Sequence, residues 1–161
     1  MKTEKYTNIL FNAGCDIGVV NHCLKVAEVA SEFSGISVDD ELVLAGSILH
    51  DLGRSRTHTI EHASVGAELS EKLGFSKEIT EIIRCHTGAG LSADECTLLG
   101  LEPTDCIPQT LEEKIVANAD NLVKGSRVIT IYERVMLIFD LPRRSKKNIR
   151  RLAMDIGLLS K

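Results

Sequence analysis

Residues 42–53 read Leu42-Val43-Leu44-Ala45-Gly46-Ser47-Ile48-Leu49-His50-Asp51-Leu52-Gly53, and the first eight are apolar or small around nearly the whole helical wheel. A helix without a polar stripe does not lie on a surface. It belongs in the middle of a bundle, with other helices around it. This one ends on an imidazole and a carboxylate, groups that are costly in a core unless they are paired, before Gly53 stops it. The stretch therefore predicts an all-α bundle with a polar site inside it.

Apolar spacing on either side is helical almost throughout, with few period-2 alternations. A first helix is expected over about residues 3–12. Asp16 caps a second, which carries Val19, Val20, Val26, Val29, Ala30 and Phe33 on one side and ends at the Ser34-Gly35 step. Ser37 opens the central helix, with Asp40 near its positive N-terminus. A polar loop, Arg54 to Ile60, leads to a helix from about His62 to Leu73 closed by Gly74, and Ser76 caps another that runs to His86. Residues 87–109 are irregular apart from a short capped turn at Ser92-Ala93-Asp94-Glu95. A connection of this length is usually functional or disordered, and its origin beside His86 makes it a lid over the site. Thr110-Leu111-Glu112-Glu113 reads as a capping box opening the helix that carries Asp120. Arg127 to Asp140 is read as helix, although its β-branched content also suits a strand, and a basic helix over about 145–160 follows Pro142.

With 161 residues and 43% apolar content, the chain has material for one core, so residues 1–161 are expected to form a single domain. Its net charge of −4 gives no global case for nucleic acid or an anionic membrane. Six of the 19 basic residues (Arg143, Arg144, Lys146, Lys147, Arg150 and Arg151) nevertheless fall in one acid-free run. That run is read as the solvated face of the last helix, with RNA binding as the competing reading. Five cysteines without Cys-x-x-Cys spacing suggest reduced thiols and neither a disulfide framework nor a zinc ribbon. No apolar run reaches the ~18 residues of a membrane helix, and the N-terminus lacks a signal-peptide pattern, so a soluble cytoplasmic protein is expected. No Gly-x-Gly-x-x-Gly, P-loop or Ser-His-Asp order supports a dinucleotide oxidoreductase, kinase or serine hydrolase.

His22, His50, His62 and His86, with Asp51 and Asp120, all fall on or beside apolar stripes that carry no lysine or arginine to neutralise them. A shared metal would satisfy all six. Imidazole and carboxylate suit divalent iron, manganese, zinc or cobalt, and the missing thiolate spacing argues against a structural zinc site. Adjacent helical residues point about 100° apart, which makes Asp51 the best candidate to span two ions. His58, in the loop four residues before His62, is read as a substrate-side or supporting group.

The order His22, His50-Asp51, Asp120 resembles the HD superfamily of metal-dependent phosphohydrolases, and His50-Asp51-Leu52-Gly53 looks like its HD-[IL]-G variant. The additional His62 and His86 are similar to the two-metal subset, which includes bacterial dinucleoside tetraphosphate hydrolases. His50 to Arg54, His62 to Glu68, Gly88-Ala89-Gly90 and Thr110 to Leu122 resemble more closely still a group of small archaeal HDIG-domain proteins of unassigned substrate. The likeness covers about residues 14–127. It implies a helical HD domain with the metal site in the bundle core, His22, His50, Asp51 and Asp120 holding one ion and Asp51, His62 and His86 the other. Two divalent ions are implied, iron or manganese first and zinc, cobalt or nickel as alternatives. The implied activity is hydrolysis of a nucleotide or other small phosphate ester by a metal-activated hydroxide, with Asp51 as the catalytic bridge. Arg54, Arg56, Lys124 and Arg127 are candidates for holding phosphate oxygens, and Asn118 and Asn121 for solvent-facing or supporting groups. The HD-GYP signature is missing, which speaks against a cyclic-di-guanylate enzyme. A homodimer is left open, and the alternative function is an inactive metal-binding HD module acting as sensor or scaffold.

Overall fold

The computed structural model describes residues 2–33 and 37–158. In chain order the elements are α1 (Lys2–Ala13), α2 (Ile17–Ser31), α3 (Asp40–Leu49), a 3-10 turn (Leu52–Ser55), α4 (His62–Lys72), α5 (Lys77–Cys85), α6 (Ala93–Leu98), α7 (Leu111–Asn121), strands β1 (Val123–Lys124) and β2 (Arg127–Val128), α8 (Ile131–Leu137) and α9 (Arg143–Gly157). Central helix α3 packs against α1, α2, α5 and α7, as its lack of a polar face requires. Ile48, Leu49 and Leu52 are completely buried, each worth about 1.5–3 kcal/mol relative to exposure. Two apolar groups meet on α3. One joins Leu10 and Val20 to Ile48 and Ile83, and the other joins Val26 and Val43 to Val116 and Ile156. The site lies where the ends of these helices converge.

Capping explains most boundaries. Asp16, Ser76 and Thr110 accept from the backbone N–H groups of Val19, Ile79 and Glu113, as the sequence predicts. Four details differ. Asp39, not Ser37, opens α3, because its carboxylate accepts from both Glu41 and Leu42 at 3.0 Å and lies at the positive helix end. Glu113 reaches back to the backbone N–H of Gln109, one residue before the cap, so the box at Thr110 is opened by one position. Helix α2 ends at Ser31, and the expected Ser34-Gly35 stop lies outside the described residues. Helix α3 ends at Leu49 with His50 as its cap, and Gly53 sits inside the 3-10 turn instead of terminating a helix.

The largest departure is at residues 123–140. Val123 pairs with Val128 and Lys124 with Arg127 across a two-residue Gly125-Ser126 turn, with Gly125 at φ +61°. Glycine at the first central position is what a two-residue hairpin turn of this hand requires. The β-branched run Val128-Ile129-Thr130-Ile131 thus begins as strand, and a complete capping box between Thr130 and Glu133 starts α8 at Ile131, four residues later than Arg127. Helix α9 starts at Arg143, buries Leu152 and Ile156 in the cluster that includes α7 and Ile149 beside Gly88, and turns its six basic residues outward, while residues 159–160 lie outside the described residues. No helix of the described residues is long and apolar enough to cross a membrane.

Candidate metal centre

His50 and Asp51 stand where α3 gives way to the 3-10 turn, His62 opens α4, His86 closes α5, His22 lies in α2 and Asp120 in α7. The turn and α4 are pressed together: a Cβ on Gly53 would stand 1.9 Å from the His62 carbonyl oxygen and 2.6 Å from the Gly66 nitrogen. That backbone approach is why glycine follows the His-Asp pair at this distance. It places His62 Nε2 3.3 Å from Asp51 Oδ1.

Each imidazole is fixed by a backbone carbonyl. Nδ1 of His22 lies 2.8 Å from the Gly125 oxygen, that of His50 2.7 Å from Ser47, that of His62 2.8 Å from Thr59 and that of His86 2.7 Å from Ile83. A carbonyl only accepts, so Nδ1 is the donor in all four rings, and in the neutral ring the Nε2 lone pair points inward. Asp51 lies among them with its oxygens divided. Oδ2 faces His22 at 3.9 Å and His50 at 3.7 Å, while Oδ1 faces His62 at 3.3 Å and His86 at 3.7 Å. Asp120 Oδ1 completes the first half, 3.0 Å from His22 and 3.6 Å from His50. The donors fall into three overlapping triads within 4.8 Å, His22-His50-Asp51, His50-His86-Asp120 and Asp51-His62-His86.

The donor set fits divalent transition metal. His50 Nε2 is buried without a hydrogen-bond partner. His62 and His86 bring two Nε2 atoms to 3.1 Å although both already donate through Nδ1, so the two lone pairs repel unless a cation or proton lies between them. Burial disfavours a charged His50, yet Asp51 and Asp120 outweigh it and raise the group to about 9. Burial and the neighbouring His50 lower His86 to about 4, and burial also lowers His62, countered in part by Asp51. Both aspartates are held below the ordinary carboxylate range, because the histidines overcome the desolvation that would raise them. Buried carboxylates kept ionised beside the neutral imidazoles of His62 and His86 form a ready cation site.

A cavity of about 220 Å³ opens over His62, His86 and Asp120. Arg54 and His58 both line it. Arg54 Nε donates to Asp51 Oδ1 at 3.1 Å, and its Nη1 donates to the His58 carbonyl. Arg56 is solvent-exposed and does not line the cavity. Lys124 and Arg127 oppose each other on the exposed hairpin, with Arg127 paired to Glu133 at 3.2 Å, and neither reaches the cavity. Asn118 and Asn121 are buried instead of solvent-facing, and Asn121 Nδ2 holds the Gly88 carbonyl at 2.6 Å. Of the irregular segment only Thr87 and Gly88 border this cleft, so the body of residues 89–109 stands beside the site and does not cover it. Arg134, in α8, borders the cleft and was not among the sequence candidates. The Thr130-x-x-Glu133 cap marks where α8 starts, but nothing in the sequence signals that α8 brings Arg134 to the cleft that His86 lines.

The chain matches the HD domain family over residues 19–125. It is 50% identical over 137 residues to an uncharacterized protein of Methanocaldococcus jannaschii, covering 81% of this chain and 80% of that one. It is 43% identical over 124 residues to a tRNA (cytidine(56)-2'-O)-methyltransferase of Picrophilus torridus, covering 76% of this chain but 36% of that protein. Among solved structures, the HD domain of the L. monocytogenes phosphodiesterase PgpH in complex with cyclic-di-AMP superimposes with a TM-score of 0.60 at 18% identity, covering 96% of this chain and 95% of that one. The shared architecture, the match over residues 19–125 and the His22, His50-Asp51, Asp120 order assign the chain to the HD domain family.

Proposed function

We propose that this HD domain is a metal-dependent phosphohydrolase or phosphodiesterase acting on a nucleotide or other small phosphate ester. One observation carries the reading: Asp51 presents Oδ2 to His22 and His50 and Oδ1 to His62 and His86, the arrangement of a carboxylate shared by two ions. His22, His50, Asp51 and Asp120 would hold one ion, and Asp51, His62 and His86 the other. A divalent pair bound there would supply a lowered water pKa and neutralisation of phosphate charge. The remaining work falls to the chain's own groups. Gly125, Ser47, Thr59 and Ile83 hold the four rings in one tautomer through their carbonyls. Arg54, fixed between Asp51 and the His58 carbonyl, keeps its guanidinium at the cleft wall, where it can meet nonbridging phosphate oxygens. The small PgpH ligand, a cyclic dinucleotide, supports a nucleotide as the class to screen first.

The test is elemental analysis of anaerobically purified protein, followed by turnover of bis-p-nitrophenyl phosphate and a nucleotide panel with manganese or iron. Two ions per chain and metal-dependent release of product are expected. A second reading, an inactive metal-binding module, is favoured by the relatives in which this region makes up about a third of a methyltransferase. Bound metal without turnover of any ester would select it.

A further inference from the structure

The cleft over the metal residues does not end at α8. Arg134, Thr87, Gly88 and Ile60 line it and also border a second cavity of about 190 Å³, so the two spaces meet at these residues. The second cavity is walled by Leu91, Leu98 and Leu99 from the irregular segment and by Leu141, Pro142 and Ile149 from the start of α9 and the link before it. Leu98, Leu99 and Leu141 are 85%, 49% and 38% exposed, which core packing does not explain. Exposed apolar side chains gathered around one concavity mark a binding surface. At the junction, Arg134 Nε and Thr87 Oγ1 are both buried without a hydrogen-bond partner. Among the described residues no carboxylate pairs with Arg134, whereas Arg127 on the same side of the chain has Glu133. A half-buried guanidinium whose Nε is closed off from water and unpaired is costly in a folded protein and is fitted to an oxyanion.

We propose, resting on the phosphohydrolase reading above, that this second cavity is the subsite for the nucleobase of a nucleoside phosphate and that Arg134 holds the phosphate at the junction. Either space alone is smaller than the ~300 Å³ at which small-molecule sites begin, and in continuity they accommodate a nucleotide. Among the apolar walls stand Glu95, Ser145 and Asn148, which offer acceptors and donors to the edge of a base. An alkyl chain would offer nothing to these polar groups, and a sugar would leave the leucines wet. Glu95 is already oriented, accepting from Ser92 through one oxygen and from Ser145 through the other. The guanidinium plane of Arg134 also stacks favourably on a flat ring.

Calorimetric titration of the full chain, chelator-treated to prevent turnover, with adenosine 5'-monophosphate and ribose 5-phosphate tests this. The nucleotide should bind at least tenfold more tightly than the sugar phosphate. Replacing both exposed leucines, Leu98→Ser with Leu99→Ser, should remove that advantage and leave ribose 5-phosphate unchanged. Arg134→Ala should weaken both probes at least tenfold, and Arg134→Lys should recover part of the loss for both. Equal affinity of the two probes for the unaltered chain, or full affinity in Arg134→Ala, overturns the proposal. If phosphate esters are hydrolysed but the probes bind equally, this subsite alone is refuted. Base-dependent binding without hydrolysis of any ester supports the subsite and refutes the phosphohydrolase reading alone.

Discussion

Replacing Gly53 by alanine drives a methyl group into the contact between the 3-10 turn and α4. The added Cβ would lie 1.9 Å from the His62 carbonyl oxygen, and contacts under 3.0 Å essentially never occur, so the first turn of α4 must retreat by about 1 Å. Forced displacement of this kind in a packed interior costs about 1–3 kcal/mol. A chain of this length then melts roughly 2–4 °C lower for each kcal/mol. The site pays separately, because His62 moves with its carbonyl and leaves Asp51 Oδ1, now 3.3 Å away. Disturbing the support of a metal ligand typically costs about 10- to 100-fold in affinity. We expect Gly53→Ala to lose on dialysis the ion that Asp51, His62 and His86 would hold and to keep the other. Gly74→Ala is the control: φ there is +78° with nothing within 4 Å of the new Cβ, so it should cost about 1–2 kcal/mol of backbone strain and no metal. The assay is elemental analysis together with thermal unfolding. Two retained ions in Gly53→Ala, with a melting shift no larger than the control's, would refute the reasoning.

Asp51→Ala should lose more metal than any other single ligand change, since its oxygens face both halves, whereas His86→Ala should spare the ion of His22; equal metal content in both variants and the unaltered chain contradicts the shared carboxylate. Metal-free protein should be most stable near pH 6.5. His50, raised to about 9, contributes stability that is complete below its unfolded value of 6.5 and is lost as pH climbs to 9, and His86, lowered to about 4, contributes stability that is lost as pH falls from 6.5 to 4. Each arm is worth roughly 3 kcal/mol, and a flat melting profile of chelated protein between pH 5 and 9 would rule this out. Exchanging residues 91–107 for a short Gly-Ser linker should keep both ions while reordering phosphate substrates by more than about tenfold, because those residues wall the neighbouring apolar pocket and not the metal cleft; an unchanged ranking, or loss of both ions, rejects that role.

The bundle and the six converging side chains were legible because each rests on a periodic signal. An all-apolar α3 has to be central, and a histidine on a helical stripe has to point where the stripe points. What escaped the sequence depends on turns and on contacts distant along the chain. Gly125-Ser126 is a recognisable hairpin turn, but the β-branched run after it suited helix and strand alike until the turn decided it. Gly53 looked like a helix stop because a backbone meeting with α4 has no local trace. Lys124, Arg127 and Arg56 share charge and proximity in sequence with the site, and neither property says which way a short loop faces. Arg134 escaped for the same reason.

Three of the four rings are oriented by a carbonyl three residues earlier in their own segment, at Ser47, Thr59 and Ile83, so residues 47–86 carry three of the four histidines together with the groups that orient them. His22 differs. Its partners Gly125 and Asp120 lie 103 and 98 residues away. Closing so long a loop is entropically expensive in folding. An ion gripped between α2 and α7 would act as a clasp on a circuit of about a hundred residues. It would lengthen the lifetime of the native state by slowing escape from it far more than it would hasten arrival.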